Sequence, residues 1–266
     1  MSSASEPTVL CGVDARGVAT VTLNRPELHN AFDDALIAAL TDTFRRLDTD
    51  PRVRVVVLAA AGRSFSAGAD LSWMKRMAGY GWEENYRDAR QLAELMRALN
   101  ELGKPTVARV QGAAYGGGVG LVACCDIALA STAASFCLSE VKLGLIPAVI
   151  SPYVVRAIGE RHARRYFVSA ERFDAAEALR IGLVHEVVAP EALDERLEVL
   201  LKTLLGNGPE AMRAAKALAR EVAPAPVDEA VIDDTARRIA ERRASVEGRE
   251  GLSAFLEKRR PKWCEG

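Results

Sequence analysis

Apolar and polar side chains alternate through residues 17–27 (GVATVTLNRPE) and the alternation stops at a proline, which predicts a strand. Residues 31–50 carry apolar side chains at helical spacing and end in a polar turn before Pro51, which predicts a helix. Residues 53–62 (VRVVVLAAAG) form a continuous apolar run rich in β-branched side chains, the pattern of a strand buried on both faces. A loop of small residues, 64–74, follows it. The spacing then predicts an amphipathic helix over 83–102, closed by Gly103 and Pro105, and a strand over 104–112. Short strands are predicted over 124–131 and 134–140. Ser151 reads as an N-cap with Pro152 at the first position of a helix that continues to about residue 170. Residues 174–190 read as helix, glycine, strand, and 191–258 as almost wholly helical.

Strands alternating with helices, then helices alone, predict an α/β core over 1–190 and a helical region over 191–266. The first half-dozen residues look disordered. With 49% apolar residues in 266, the chain can bury a large core. Its formal net charge of −1, with acids and bases mixed throughout, speaks against nucleic acid as a partner. No apolar run is long enough to span a bilayer, and the N-terminus lacks a signal-peptide pattern. The five cysteines include no C-x-x-C pair and the three histidines are scattered, so no metal site is expected. Cys124 and Cys125 read as small buried hydrophobes, and a reducing cytoplasm suits the set.

Two glycine-containing loops each follow a predicted strand: FSAGADL (65–71) and AAYGGGVG (113–120). A dinucleotide fingerprint fails because Leu121 stands where its third glycine belongs, and a phosphate loop fails because Val119-Gly120 stands in place of G-K-S/T. Two readings remain. The glycines permit close packing of strand and helix, or they let a ligand oxygen approach unpaired backbone N–H groups at a helix start. One donor from each loop, converging on one oxygen, would stabilise an oxyanion, and each is worth roughly 3 kcal/mol in such a hole.

Taken together, SFSAGADLSWM, VQGAAYGGGVGLVACCDIALAS and ASFCLSEVKLGLIP resemble the enoyl-CoA hydratase/isomerase family, the crotonase superfamily. The resemblance extends from VTLNRPELHNAF to EGLSAFLEKRRPKW. It implies an α/β fold with a ββα-spiral core and a C-terminal helical trimerisation region, assembled as a homotrimer or a dimer of trimers. It implies a coenzyme A thioester as substrate and no bound cofactor. Carried over position by position, the oxyanion-hole amides are those of Ala69 and Gly117. Leu28, Asn30, Ala31, Ser66, Ala67, Asp70 and Leu71 fall in the stretches that hold the CoA arms, mainly through backbone atoms. Tyr115, Gly116 and Pro147 complete the implied substrate site, and Asp70 is expected to hold its loop rather than to act as an acid.

Hydratases of the family typically carry two glutamates. The second is present as Glu140; where the first would follow the triple glycine, this chain has Gly120. Glu140 alone could deprotonate water and return the proton to the α-carbon, and acid–base help of this kind is worth about 10²–10⁴-fold. The same arrangement resembles Δ3,Δ2-enoyl-CoA isomerases, and a non-catalytic acyl-CoA-binding protein is a further reading. Outside the family pattern, Glu140 reads as a surface acid or a partner of Lys142.

A second departure is PAVISPYVV (147–155), where many relatives are glycine-rich, so Val149 and Ile150 add apolar bulk near the acyl site. The surrounding block LGLIPAVISPYVVRAIG (143–159), together with GADLSWM (68–74) and VGLVACCDIA (119–128), resembles a bacterial methylglutaconyl-CoA hydratase-like branch serving leucine/isovalerate or acyclic terpene breakdown. A distal carboxylate on such a substrate would need a cation or hydroxyl, for which Lys75, Arg76, Ser151 and Tyr153 are candidates by location. Trp73, Met74, Met77 and Tyr80 either wall the acyl pocket or belong to helix core, and the basic run 258–260 either meets CoA phosphates or caps a helix end.

Overall fold

The computed structural model describes residues 7–264; the segment expected to be disordered, residues 1–6, lies outside them. In chain order the elements are β1 (Val9–Val13), β2 (Val18–Leu23), α1 (Asp34–Thr49), β3 (Val55–Ala60), α2 (Leu71–Met77), α3 (Trp82–Glu101), β4 (Thr106–Val110), β5 (Ala114–Tyr115), α4 (Gly117–Cys124), β6 (Ile127–Ser131), β7 (Ser135–Cys137), α5 (Ser151–Ser169), β8 (Phe173–Asp174), α6 (Ala175–Arg180), β9 (Glu186–Val188), α7 (Leu193–Leu205), α8 (Pro209–Val222), α9 (Glu229–Ala244) and α10 (Val246–Leu256).

Six strands form one sheet in the order β1-β2-β3-β4-β6-β9, parallel except for the antiparallel edge pair β1–β2. A smaller sheet, β5-β7-β8, takes the next strand after β4 and again after β6. The chain therefore lays one strand in each sheet and then a helix, which is the spiral the resemblance implies. Period-2 alternation divides the large sheet between two apolar layers. Val21, Leu23, Val56, Leu58, Ala108 and Ala130 face α1, α3, α4 and α5. Val18, Val55, Val57, Val107 and Leu129 face Leu193, Leu197 and Leu201 of α7. Every residue of β3 is buried, as its unbroken apolar run requires.

Four local readings are corrected. Ser151 is not an N-cap: Ile150 holds that place, Ser151 opens α5 and Pro152 follows it. The Ser151 amide and hydroxyl both go to the Ala148 carbonyl, which closes the preceding turn instead. Helix α5 is also interrupted at Gly159, whose φ of 75° and ψ of 157° break the helical run. The 64–74 loop turns helical at Leu71, because Asp70 caps α2 by accepting from the amides of Ser72 and Trp73. The strand expected from residue 124 begins at Ile127, because Cys124 still belongs to α4. Strand β1 has no counterpart in the sequence reading; it is an exposed edge strand with Gly12 as its fourth residue, so its sequence carries little alternation.

Candidate active site

The two glycine loops lie side by side because the small sheet continues into them. Ser66 bridges Ala114 in parallel register, with the Ser66 amide donating 3.0 Å to the Ala113 carbonyl and the Tyr115 amide donating 2.8 Å to the Ser66 carbonyl. On its far side β5 pairs with β7, and the Gly116 amide donates 2.9 Å to the Cys137 carbonyl. Phe32 and Ala69 form a second parallel bridge that fixes the 65–71 loop from its outer edge.

Tyr115 delivers the chain to Gly116, whose φ of 51° and ψ of −117° suit only glycine. Helix α4 starts at the next residue, so the Gly117 amide has no intrahelical acceptor. Neither this amide nor that of Ala69 donates to a protein acceptor among the described residues. Ala69 is exposed, and Gly117 is the one member of the triple glycine that is not buried.

Glu140 enters from β7. Because β7 runs beside β5, the chain leaving Cys137 arrives next to the chain leaving Tyr115, and Glu140 opens a short 3₁₀ turn closed by Gly144. A Cβ built on Gly116 would stand 3.3 Å from Glu140 Oε1 and 3.9 Å from the Gly68 Cα. The carboxyl, the glycine turn and the first loop thus share one small volume. Glu140 Oε2 is buried and has no hydrogen-bond partner among the described residues. Burial pushes the Glu140 carboxyl above the usual glutamate range, since the charged form loses water there. No ion pair joins it to Lys142 among the described residues, so the surface-pair reading is not realised.

The candidate CoA stretches are tightly braced. Asn30 is fully buried; its Oδ1 accepts from the Arg25 amide at 2.8 Å, and its Nδ2 donates to the carbonyls of Ala61 and Ser64. The Ser66 hydroxyl donates to the Asn30 carbonyl, and the Ala67 amide to the His29 carbonyl. The side chains of Asn30 and Ser66 are therefore scaffold. The Ala31 carbonyl accepts from Arg25, Leu28 and Leu71 are exposed, and Pro147 is buried.

Arg25 carries no sequence signal of its own, yet it ties this region together. It pairs with Asp33 at 2.8 Å and Asp70 at 3.1 Å, the residues that cap α1 and α2. Burial alone would raise the Asp70 carboxyl; the amides of Trp73 and Ser72 and the Arg25 guanidinium outweigh it and hold Asp70 below the ordinary range. His29 sits between the Ser64 hydroxyl and the Arg63 guanidinium, and His185 accepts from the Ala128 amide, both serving the scaffold.

Most of the other candidates are engaged in contacts of their own. Trp73 and Met77 pack with the core, and the Trp73 indole donates to Asp88. Arg76 pairs with Asp34 at 2.6 Å, Ser151 bonds Ala148, Tyr153 packs partly buried against the core and Lys75 stays exposed. Arg259 of the basic run pairs with Glu250 and Glu257. Gly120 is buried in α4, and the space beside it is filled by Ile150 and Met96, a contact between residues far apart in sequence. Among the described residues no cluster of His, Cys, Asp and Glu could hold a metal, and no helix is long and apolar enough to cross a membrane.

Comparison with known proteins places the fold. The enoyl-CoA hydratase/isomerase family model matches residues 14–266. An enoyl-CoA hydratase structure from Shewanella pealeana superposes with a TM-score of 0.94 at 46% identity, covering 97% of this chain and 96% of that one. Pseudomonas aeruginosa AtuE superposes with a TM-score of 0.92 at 39% identity, covering 97% and 100%. The crotonyl-CoA hydratase of Syntrophomonas wolfei is 32% identical over 246 residues, 91% of this chain and 93% of its own length. On its spiral fold and along nearly its whole length, the chain belongs to the enoyl-CoA hydratase/isomerase family of the crotonase superfamily.

Proposed function

We propose that the protein is an enoyl-CoA hydratase, a hydro-lyase that adds water across the 2,3 double bond of an acyl-CoA thioester with Glu140 as its one acid–base group. The observation that carries this reading is a half-buried carboxyl whose buried oxygen, among the described residues, has no partner, set beside a glycine turn and two amides without acceptors. The names of the relatives, hydratases among them, support the reaction class.

In this reading the thioester oxygen accepts from the amides of Ala69 and Gly117, which stabilise the enolate as charge moves onto oxygen. Glu140 takes one proton from water while the water oxygen bonds to C3. The same carboxyl then returns that proton to C2, so one water is added and the glutamate is regenerated. The raised proton affinity of Glu140 suits a group that must both take and give a proton near neutrality. CoA would lie along 28–31 and 66–71. We propose 3-methylglutaconyl-CoA as substrate, on the resemblance of residues 143–159 together with 68–74 and 119–128, and a homotrimer or dimer of trimers assembled through the helices after residue 190.

The test is an ultraviolet and mass-spectrometric assay of wild type and Glu140→Gln with crotonyl-CoA, 3-methylglutaconyl-CoA and a 3-enoyl-CoA. Gain of one water, lost in the variant, supports the proposal. Double-bond migration without mass gain would make the protein an isomerase, and binding without turnover would make it a carrier. A crotonyl-CoA preference would remove methylglutaconyl-CoA.

A further inference from the structure

We propose that Ile150 is the residue that makes this a single-acid site: it occupies the volume a side chain at position 120 would enter, and so excludes a second acid by shape. The inference rests on the hydratase reading for its catalytic consequence, though not for its structural content.

Gly116 is the non-helical N-cap of α4 and Gly120 lies in its first turn, the Gly120 amide donating 3.2 Å to the Gly116 carbonyl, so the two positions adjoin. A Cβ at Gly116 would approach Glu140 Oε1. A Cβ at Gly120, one turn on, would collide with Ile150 Cγ2, stand 2.9 Å from Ile150 Cβ and lie 3.2 Å from Met96 Cε. Met96 is flexible and can yield; Ile150 cannot. It is 3% exposed, branched at Cβ and therefore stiff in χ1. Its backbone is fixed as the N-cap of α5, its carbonyl accepting from the amides of Tyr153 and Val154 at 3.1 Å each. Two departures 30 residues apart, glycine at 120 and an isoleucine at 150, are thus one contact between α4 and α5. Position 120 cannot acquire an acid while Ile150 stays, and Ile150 cannot be accommodated unless 120 is glycine.

A double-mutant cycle on the full-length protein tests this. Gly to Ala inside a helix ordinarily stabilises. Here Gly120→Ala is expected to lower Tm by about 2–10 °C, the usual range for overpacking a core in a chain of this size. In the Ile150→Gly background the same substitution should change sign and raise Tm. Gly120→Ala as stable as wild type, or a loss that Ile150→Gly does not relieve, would overturn the interlock.

The catalytic arm uses Gly120→Glu with Ile150→Gly. The expected result is a turnover–pH profile with one more ionisation than wild type. A folded double variant whose profile superimposes on wild type would mean that position 120 does not open on the reacting site, and the proposal fails. A wild type that hydrates no enoyl-CoA would instead sink the hydratase reading and leave the Tm cycle to decide the interlock.

Discussion

Glu140 holds a carboxyl where solvation is poor and, among the described residues, no cation pairs with it, an arrangement that lowers stability and that the proposed reaction would use for proton transfer. Three predictions rest on that one side chain. Glu140→Gln should lower kcat at least about 100-fold with little change in KM, because the amide keeps the shape and loses the base. For wild type, turnover requires the carboxylate, so it should fall as pH drops through a value above the ordinary glutamate range. The stability sign is opposite. A carboxyl whose folded pKa is raised stabilises the fold below its unfolded pKa, and that contribution is lost as pH rises through the folded value. At pH 7 the Gln variant should therefore melt higher than wild type, and the gap should close in acid; a variant melting lower at pH 7 would contradict this. At this scale the sequence was informative about presence and poor about neighbours. Glu140, Gly116 and Gly117 could be named from motifs, and the loss of an acid at 120 was visible. What fills the space beside Gly120 was not, since Ile150 and Met96 come from other elements and no spacing rule links them.

Elements place the amides, and here the controlling residue is Arg25. One guanidinium joins the caps of α1 and α2 and holds the Ala31 carbonyl, and Asp70 at its end adjoins the Ala69 amide. Arg25→Met should therefore let the first loop drift. Small displacements of positioning groups can cost on the order of 10²-fold; kcat/KM is expected to fall about that far. Steady-state kinetics within about twofold of wild type would show that the loop needs no such clamp. Asp70→Ala removes the cap of α2 as well and should cost about 1 kcal/mol of stability, read by denaturant unfolding. Strongly periodic elements such as α1, α3 and the buried strand β3 were legible from pattern. Short ones were not. The start of α2 depends on what Asp70 bonds, the break in α5 on one φ angle at Gly159, and β1 on a partner strand rather than on its own residues.

At the scale of the molecule the last helices pose the open structural problem. Helix α7 is built into the core through Leu193, Leu197 and Leu201, but α8 and α9 bury no residue and α10 buries only Ala254. Lys216 of α8 pairs with Asp126 at 2.7 Å, and Arg54 holds the carbonyls of Leu205 and Asn207 just before α8 and of Trp263 after α10. Meanwhile Val227, Val246, Phe255 and Leu256 are each more than three-quarters exposed. Apolar surface of this kind is expensive to leave in water, and covering it with further copies of the chain would remove it at no cost in fold. Sedimentation equilibrium should therefore give a species of three or six chains. Phe255→Glu with Leu256→Glu should shift it towards monomer while circular dichroism keeps the helical signal, since neither side chain supports the core. A wild-type monomer at micromolar concentration would overturn the proposed trimer.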